Sequence, residues 1–145
     1  MLIVILAFLF QYQNPCEAFP RKLNNTQMRI CADIHDTAHS KGVDPLLAVS
    51  VGYHETRFRY KIGAAGEIGP MQAIPRYWCP ETGTCDSVDA GVDALRYMLR
   101  RYGDTRLALT RYNGAGESAR RYAGRVLRIR SEVLSASVPA YRLLF

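Results

Sequence analysis

Apolar residues recur at three- and four-residue spacing through most of the chain after residue 25, the period of one face of an α-helix. In NNTQMRICADIHDTAHSKG, Met28, Cys31, Ile34 and Ala38 form such a stripe, with Asn25 or Thr26 as N-cap and Gly42 as stop. DPLLAVSVGYHE starts with Asp44 as N-cap and Pro45 at the first helical position, where an N–H would lack an intrahelical partner anyway. This segment is apolar on most sides and reads as the central helix. In DSVDAGVDALRYMLRRYG, Asp86 is the cap, Val88, Val92, Leu95, Leu99 and Tyr102 the stripe, and Gly103 the stop. DTRLALTRYNG follows, capped by Asp104 and closed by Gly114. ESARRYAGRVLRIRSEVL places Ala119, Tyr122, Ala123, Val126 and Val133 inward and most of its arginines outward. The pattern predicts one all-α domain of about five main helices with little or no sheet.

Residues 59–86 break the period. RYKIGAAGEIGPMQAIPRYWCPETGTC is dense in glycine and proline, yet carries Tyr, Trp, Ile and Met. It reads as an ordered loop region over a cleft, where functional residues gather, with a short helix or hairpin around 71–74. Just before it stands Glu55, whose helical-face neighbours Leu47, Ala48, Val51 and Gly52 are all non-polar. A carboxyl in such surroundings has a raised pKa and holds a proton near neutral pH.

HETRF, GAAGEIGPMQAIP, AGVDALRYMLRRYGD, ALTRYNGAG and RRYAGRV occur in that order. Together they resemble the lytic transglycosylase domain of the soluble type, a goose-lysozyme-like α-helical fold, over roughly residues 27–130. The resemblance implies cleavage of the β-1,4 bond between N-acetylmuramic acid and N-acetylglucosamine in peptidoglycan, without cofactor or metal. It implies Glu55 as the single general acid, then base. The substrate's C6 hydroxyl closes on C1 and leaves a 1,6-anhydromuramoyl end. It also implies that Met71 and Gln72 line the saccharide groove, and that Tyr112 and Asn113 form the family's Tyr-Asn pair, the tyrosine bonding the catalytic carboxyl. Thr56 stands where the family usually has serine and Tyr122 where an aromatic borders the cleft, and the resemblance makes both, with Tyr112 and Asn113, substrate contacts as well. Pro70 inside the Met-Gln motif and Arg111 beside the Tyr-Asn pair depart from the pattern.

Glutamate chemistry suits the reaction independently, because a glycosidic oxygen leaves poorly unless protonated. Hydrolytic glycosidases use a second carboxylate. Glu67, Glu81 and Asp86 are nearby in sequence, and spacing singles out none of them, so a hydrolytic muramidase is the alternative enzyme.

Net charge is +6, with 19 basic against 13 acidic side chains, which suits an anionic partner. Arg96, Arg100, Arg101, Arg120, Arg121, Arg125 and Arg128 would steer the protein toward anionic wall polymers. The last four share part of a helical face that would also suit phosphates, but the motif set and the N-terminus stand against nucleic acid as a partner. Small size suits a local role at a secretion, conjugation or phage apparatus rather than bulk wall turnover.

LIVILAFLF is a nine-residue apolar run, too short to cross a bilayer as a helix, which takes about 20 residues. It fits the core of a secretory leader, and CEA supplies small residues around a cut after Ala18. Residues 1–18 are then a leader and 19–145 the catalytic domain, exported to the periplasm or envelope, or carried on a virion if phage-encoded. No Lys or Arg precedes the run, so a buried N-terminal helix or an uncleaved anchor remains the alternative. Cys16 would leave with the leader and Cys31 would sit in the core. Cys79 and Cys85 would close CPETGTC as a small disulfide, or stay free thiols if the chain is cytosolic. The cysteines and histidines lack zinc-ligand spacing, and His35 and His39, four apart, lack a third ligand. His54 points about 100° away from Glu55 on a helix and is assigned a structural or surface role.

Overall fold

The computed structural model describes residues 14–137. After a 3-10 turn at Pro15–Glu17 come α1 (Asn25–Ser40), α2 (Pro45–Thr56), the one-turn α3 (Pro75–Trp78), α4 (Ser87–Tyr102), α5 (Thr105–Asn113) and α6 (Gly116–Ser137). Among the described residues the only β pairing is two isolated bridges, Ile62 with Ile68 and Ile68 with Ala73. The protein is therefore mainly helical, as the periodicity predicts. Of the short helix or hairpin expected around 71–74, the structure has a tight loop closed by the antiparallel Ile68–Ala73 bridge, and a one-turn helix begins afterwards at Pro75.

Side-chain caps set the helix starts. Asp44 accepts from the Leu46 and Leu47 amides, Asp86 from Val88 and Asp89, and Asp104 from Leu107. Each such cap contributes about 1 kcal/mol. For α1 the cap is Asn24 rather than Asn25 or Thr26. Its side chain accepts from the Gln27 amide while Gln27 Oε1 accepts from the Asn24 amide, a reciprocal capping box. Gln27 then reaches across to donate to the Arg57 carbonyl at 2.9 Å, tying the start of α1 to the end of α2.

Helix α2 is the core element, with eight of its twelve residues buried. It packs against α1 and α6, while α5 packs against α4 and α6. Gly52 makes the close approach possible, since a Cβ there would lie 2.7 Å from Ile34 and 3.3 Å from Phe58. On α6, Ala119, Tyr122, Ala123, Val126 and Val133 are buried, the five residues its stripe selects.

Cys79 and Cys85 form the expected small disulfide. Cys31 is buried as expected, but as half of a bond to Cys16, whose Cα lies 5.9 Å away. The boundary expected between residues 18 and 19 falls just after this bond. A cut after Ala18 would remove Cys16, which is 1% exposed, and would free the chain just ahead of Phe19. Phe19 stacks within 4.6 Å of Tyr53 and 5.1 Å of Phe58, so the folded domain includes the chain from at least Pro15. CEA reads as a cleavage site because Cys16 and Ala18 are small, and the same Cys16 fits the buried side of a 3-10 turn whose Glu17 is exposed. The apolar run LIVILAFLF lies outside the described residues, as does the chain after Ser137. Among those described, no helix is long and apolar enough to cross a membrane.

Candidate active site

Helix α2 ends in an unusual way, and that ending places Glu55. Arg57 and Phe58 both take left-handed backbone, with φ of 52° and 59°, a region that bulky residues seldom occupy. Left-handed backbone costs roughly 1–2 kcal/mol per residue. Complete burial of the Phe58 ring among Phe19, Tyr53 and Gly52 offsets it, contributing on the order of 1.5–3 kcal/mol. Amides of Arg57 and Phe58 turn back onto the Tyr53 and Gly52 carbonyls, closing the helix directly after Thr56.

Glu55 is thereby held half-buried in the last turn, and the Tyr122 hydroxyl of α6 donates to its Oε1 at 2.7 Å. Burial pushes the Glu55 carboxyl above the ordinary glutamate value, and the negative charge of Glu67 adds to the rise. The Tyr122 hydrogen bond and the charge of Lys61 pull the other way, without cancelling the effect. Tyr122 is itself buried, and its phenol is raised well above the usual range by burial and by the nearby Glu55, so it stays a donor.

Tyr112 plays a different part from the one expected. Its hydroxyl donates to the Met71 carbonyl at 2.7 Å rather than to Glu55. Its phenol, too, is raised by burial and by the charge of Glu55, which places it in the same neighbourhood. Thr56 does the matching job from α2, donating to the Pro70 carbonyl at 2.9 Å and accepting from the Arg59 amide at 3.0 Å. Two successive loop carbonyls, Pro70 and Met71, are therefore pinned by one hydroxyl from α2 and one from α5. Thr56 is buried, and its expected role as a groove contact is corrected to this one.

The expected groove role of Met71 is likewise corrected. Met71 is fully buried and packs on Gly91 of α4, where a Cβ would come within 2.6 Å of the Met71 Cβ. Gln72 has left-handed backbone, φ 55°, and turns its amide nitrogen onto the Lys61 and Gly69 carbonyls at 3.0 and 2.9 Å. Met71 therefore builds the loop rather than lining an open groove, while Gln72 is half-buried and fixes the loop through its amide nitrogen. Asn113 closes α5 with an exposed side chain that makes no hydrogen bond among the described residues, and it is free to meet a ligand.

Of the other carboxylates, Asp86 is consumed as a helix cap and Glu81 is exposed on the disulfide loop. Glu67 Oε2 accepts from the Ala65 amide at 3.0 Å, and Gly63 leaves room for it. Among the described residues no hydrogen bond joins Glu55 to a second carboxylate, and no His, Cys, Asp and Glu cluster fits a metal ion.

No protein-family model, characterised protein or solved structure matches the chain.

One neighbour of the site escapes helical-wheel reasoning. His54 packs its ring edge-on to Tyr122, with centroids 4.8 Å apart, and its Nε2 accepts from Arg125 Nε at 3.0 Å. Burial and the Arg125 charge lower its pKa, so it is a neutral ring bracing Tyr122. A hint lies in the sequence, since Tyr122 and Arg125 stand three apart on one helix and so reach the same neighbour.

Proposed function

We propose that this protein is a peptidoglycan lytic transglycosylase, with Glu55 as its single acid and base. One relationship carries the proposal: a half-buried carboxyl with a raised pKa, held in place by the hydroxyl of a buried phenol. The motifs HETRF, GPMQ and YNG supply the substrate class, β-1,4-linked aminosugar strands of peptidoglycan.

The chemistry follows from those groups. Protonated Glu55 gives its proton to the glycosidic oxygen, the C1–O4 bond breaks, and N-acetylglucosamine leaves as an alcohol. The resulting carboxylate accepts the Tyr122 hydroxyl, which steadies the charge Glu55 now carries. Glu55 then takes the proton of the muramoyl C6 hydroxyl as O6 bonds to C1. The ring closes, no water is consumed, and Glu55 ends protonated for the next turn. Pinning of Pro70 and Met71 keeps the loop in register with this carboxyl, since Thr56 is its chain neighbour. Action would be local, at the cell envelope, on glycan strands rather than nucleic acid.

Mass spectrometry of fragments released from purified peptidoglycan tests the proposal, with Glu55→Gln in parallel. Products one water lighter than hydrolysis gives, absent with Glu55→Gln, are expected. Reducing muramic acid ends would overturn the lyase assignment in favour of a hydrolase. Glu67, the carboxylate whose charge reaches Glu55, would then be its second group.

A further inference from the structure

A cavity of about 800 Å³ opens between α3 and α4, and none of the site residues above lines it. Gly91 of α4 faces the buried Met71. Arg96, Tyr97, Arg100 and Arg101 follow Gly91 at offsets that place them roughly 140–280° around the helix, so they face away from the catalytic loop. Tyr77 and Trp78 form the opposite wall, and the Cys79–Cys85 disulfide closes the chain just beyond them.

Its walls are preset. Trp78 and Tyr97 meet edge-to-face across the cavity with centroids 5.5 Å apart. Tyr77 is 60% exposed, with the Arg76 guanidinium over one face of its ring 4.5 Å from the centroid, and Tyr97 is 46% exposed, so both present aromatic surface to water. Asp93 is the lone acid in the lining, and it shares Lys41, at 2.9 Å, with Asp89 at 2.6 Å, so the three arginines of the lining outweigh its charge. Arg96 has a buried Nε with no hydrogen-bond partner among the described residues.

Aromatic rings take the flat CH faces of sugars, and guanidinium groups take carboxylates in paired hydrogen bonds. A ligand that satisfies both is a saccharide bearing acidic peptide. We infer that this groove is an accessory anchor for a second, uncut stretch of peptidoglycan, its rings on the glycan and its arginines on the stem-peptide carboxylates. The inference rests on the peptidoglycan assignment above. It adds a holding site on the opposite side of α4 from the catalytic loop.

Sedimentation with intact sacculi tests it, using full-length Glu55→Gln protein so that the wall is not cut. Arg100→Gln/Arg101→Gln and Tyr77→Ala/Tyr97→Ala are added separately to that background. An Arg120→Gln/Arg121→Gln pair on α6 removes the same charge elsewhere. Both groove pairs should weaken binding about fivefold or more, and the α6 pair less than about twofold. Turnover of a short soluble glycan by groove variants that retain Glu55 should be unchanged. Equal binding by groove variants and parent, equal loss in the α6 control, or displacement by a single-stranded oligonucleotide as readily as by soluble peptidoglycan fragments would each overturn the anchor. Circular dichroism confirms that the variants fold, and Tyr97→Phe, which should bind as the parent does, checks that the rings matter rather than the tyrosine hydroxyl. If wild type releases no fragments, the enzyme assignment fails by itself, because sedimentation still reports the groove.

Discussion

Tyr122 donates its hydroxyl to Oε1 of Glu55 across the α2–α6 interface at 2.7 Å, and that bond favours the charged form of the carboxyl against the burial that disfavours it. Removing it should therefore raise the Glu55 pKa further. A general acid works only while protonated, so activity is lost as pH rises through its pKa. In Tyr122→Phe the alkaline limb of kcat/KM should move to higher pH, with a lower maximum because the developing carboxylate loses its donor. An unmoved limb would show that another group sets the profile.

Glu55 should also be costly to stability. Its folded pKa lies above the unfolded value, so the stability it contributes is fully present below the unfolded pKa of about 4.5 and is lost as pH rises through the folded pKa. Glu55→Gln removes that titration and keeps an acceptor for Tyr122. The variant should melt a few degrees higher than wild type at pH 7, and the gap should close near pH 4. Thermal melts at the two pH values measure it, and a variant less stable at pH 7 would contradict the burial account.

The two loop pins predict opposite signatures from Tyr122. Thr56→Val leaves the Pro70 carbonyl and Arg59 amide short of a partner, and Tyr112→Phe does the same to the Met71 carbonyl. Each should cost about 1–3 kcal/mol in urea unfolding, while Thr56→Ser should recover most of its share. Tyr112→Phe should lower activity without the pH shift of Tyr122→Phe.

Disulfide loss should be graded by the loops closed. Cys16 and Cys31 are 15 residues apart and Cys79 and Cys85 only 6. Chain entropy gives about 3 kcal/mol for the first and about 2 for the second. The buried Cys16–Cys31 pair should thus be the more damaging to replace with serine, read by urea unfolding, whereas the exposed small loop should affect the α3–α4 groove first.

The helices were legible because each combines a local stripe with a local cap. Asp44, Asp86 and Asp104 announce their helices within three residues, and all five inward positions of α6 follow from spacing alone. Asn24 is less legible than Asn25 or Thr26 as the cap of α1, because its partner, Gln27, reads as an ordinary polar residue until the box is closed. Glu55 was legible for the same local reason, as a carboxyl on an apolar face. Its partners were not, because which of Tyr112 and Tyr122 reaches it depends on where two helices bring the Met71 carbonyl. The left-handed turn at Gln72 that aims its amide inward has no glycine to mark it. Pairing of Cys16 with Cys31 depends on α1 lying over the N-terminal turn, which no spacing rule encodes.

That disulfide has a mechanical meaning as well. Tension on the chain ahead of Cys16 enters α1 through a covalent bond at Cys31, bypassing the noncovalent stacking of Phe19 on Tyr53 and Phe58. Those two rings frame the turn that carries Glu55. A pull on the chain ahead of Cys16 is thus borne by the scaffold, and the Glu55 end of α2 is spared the load.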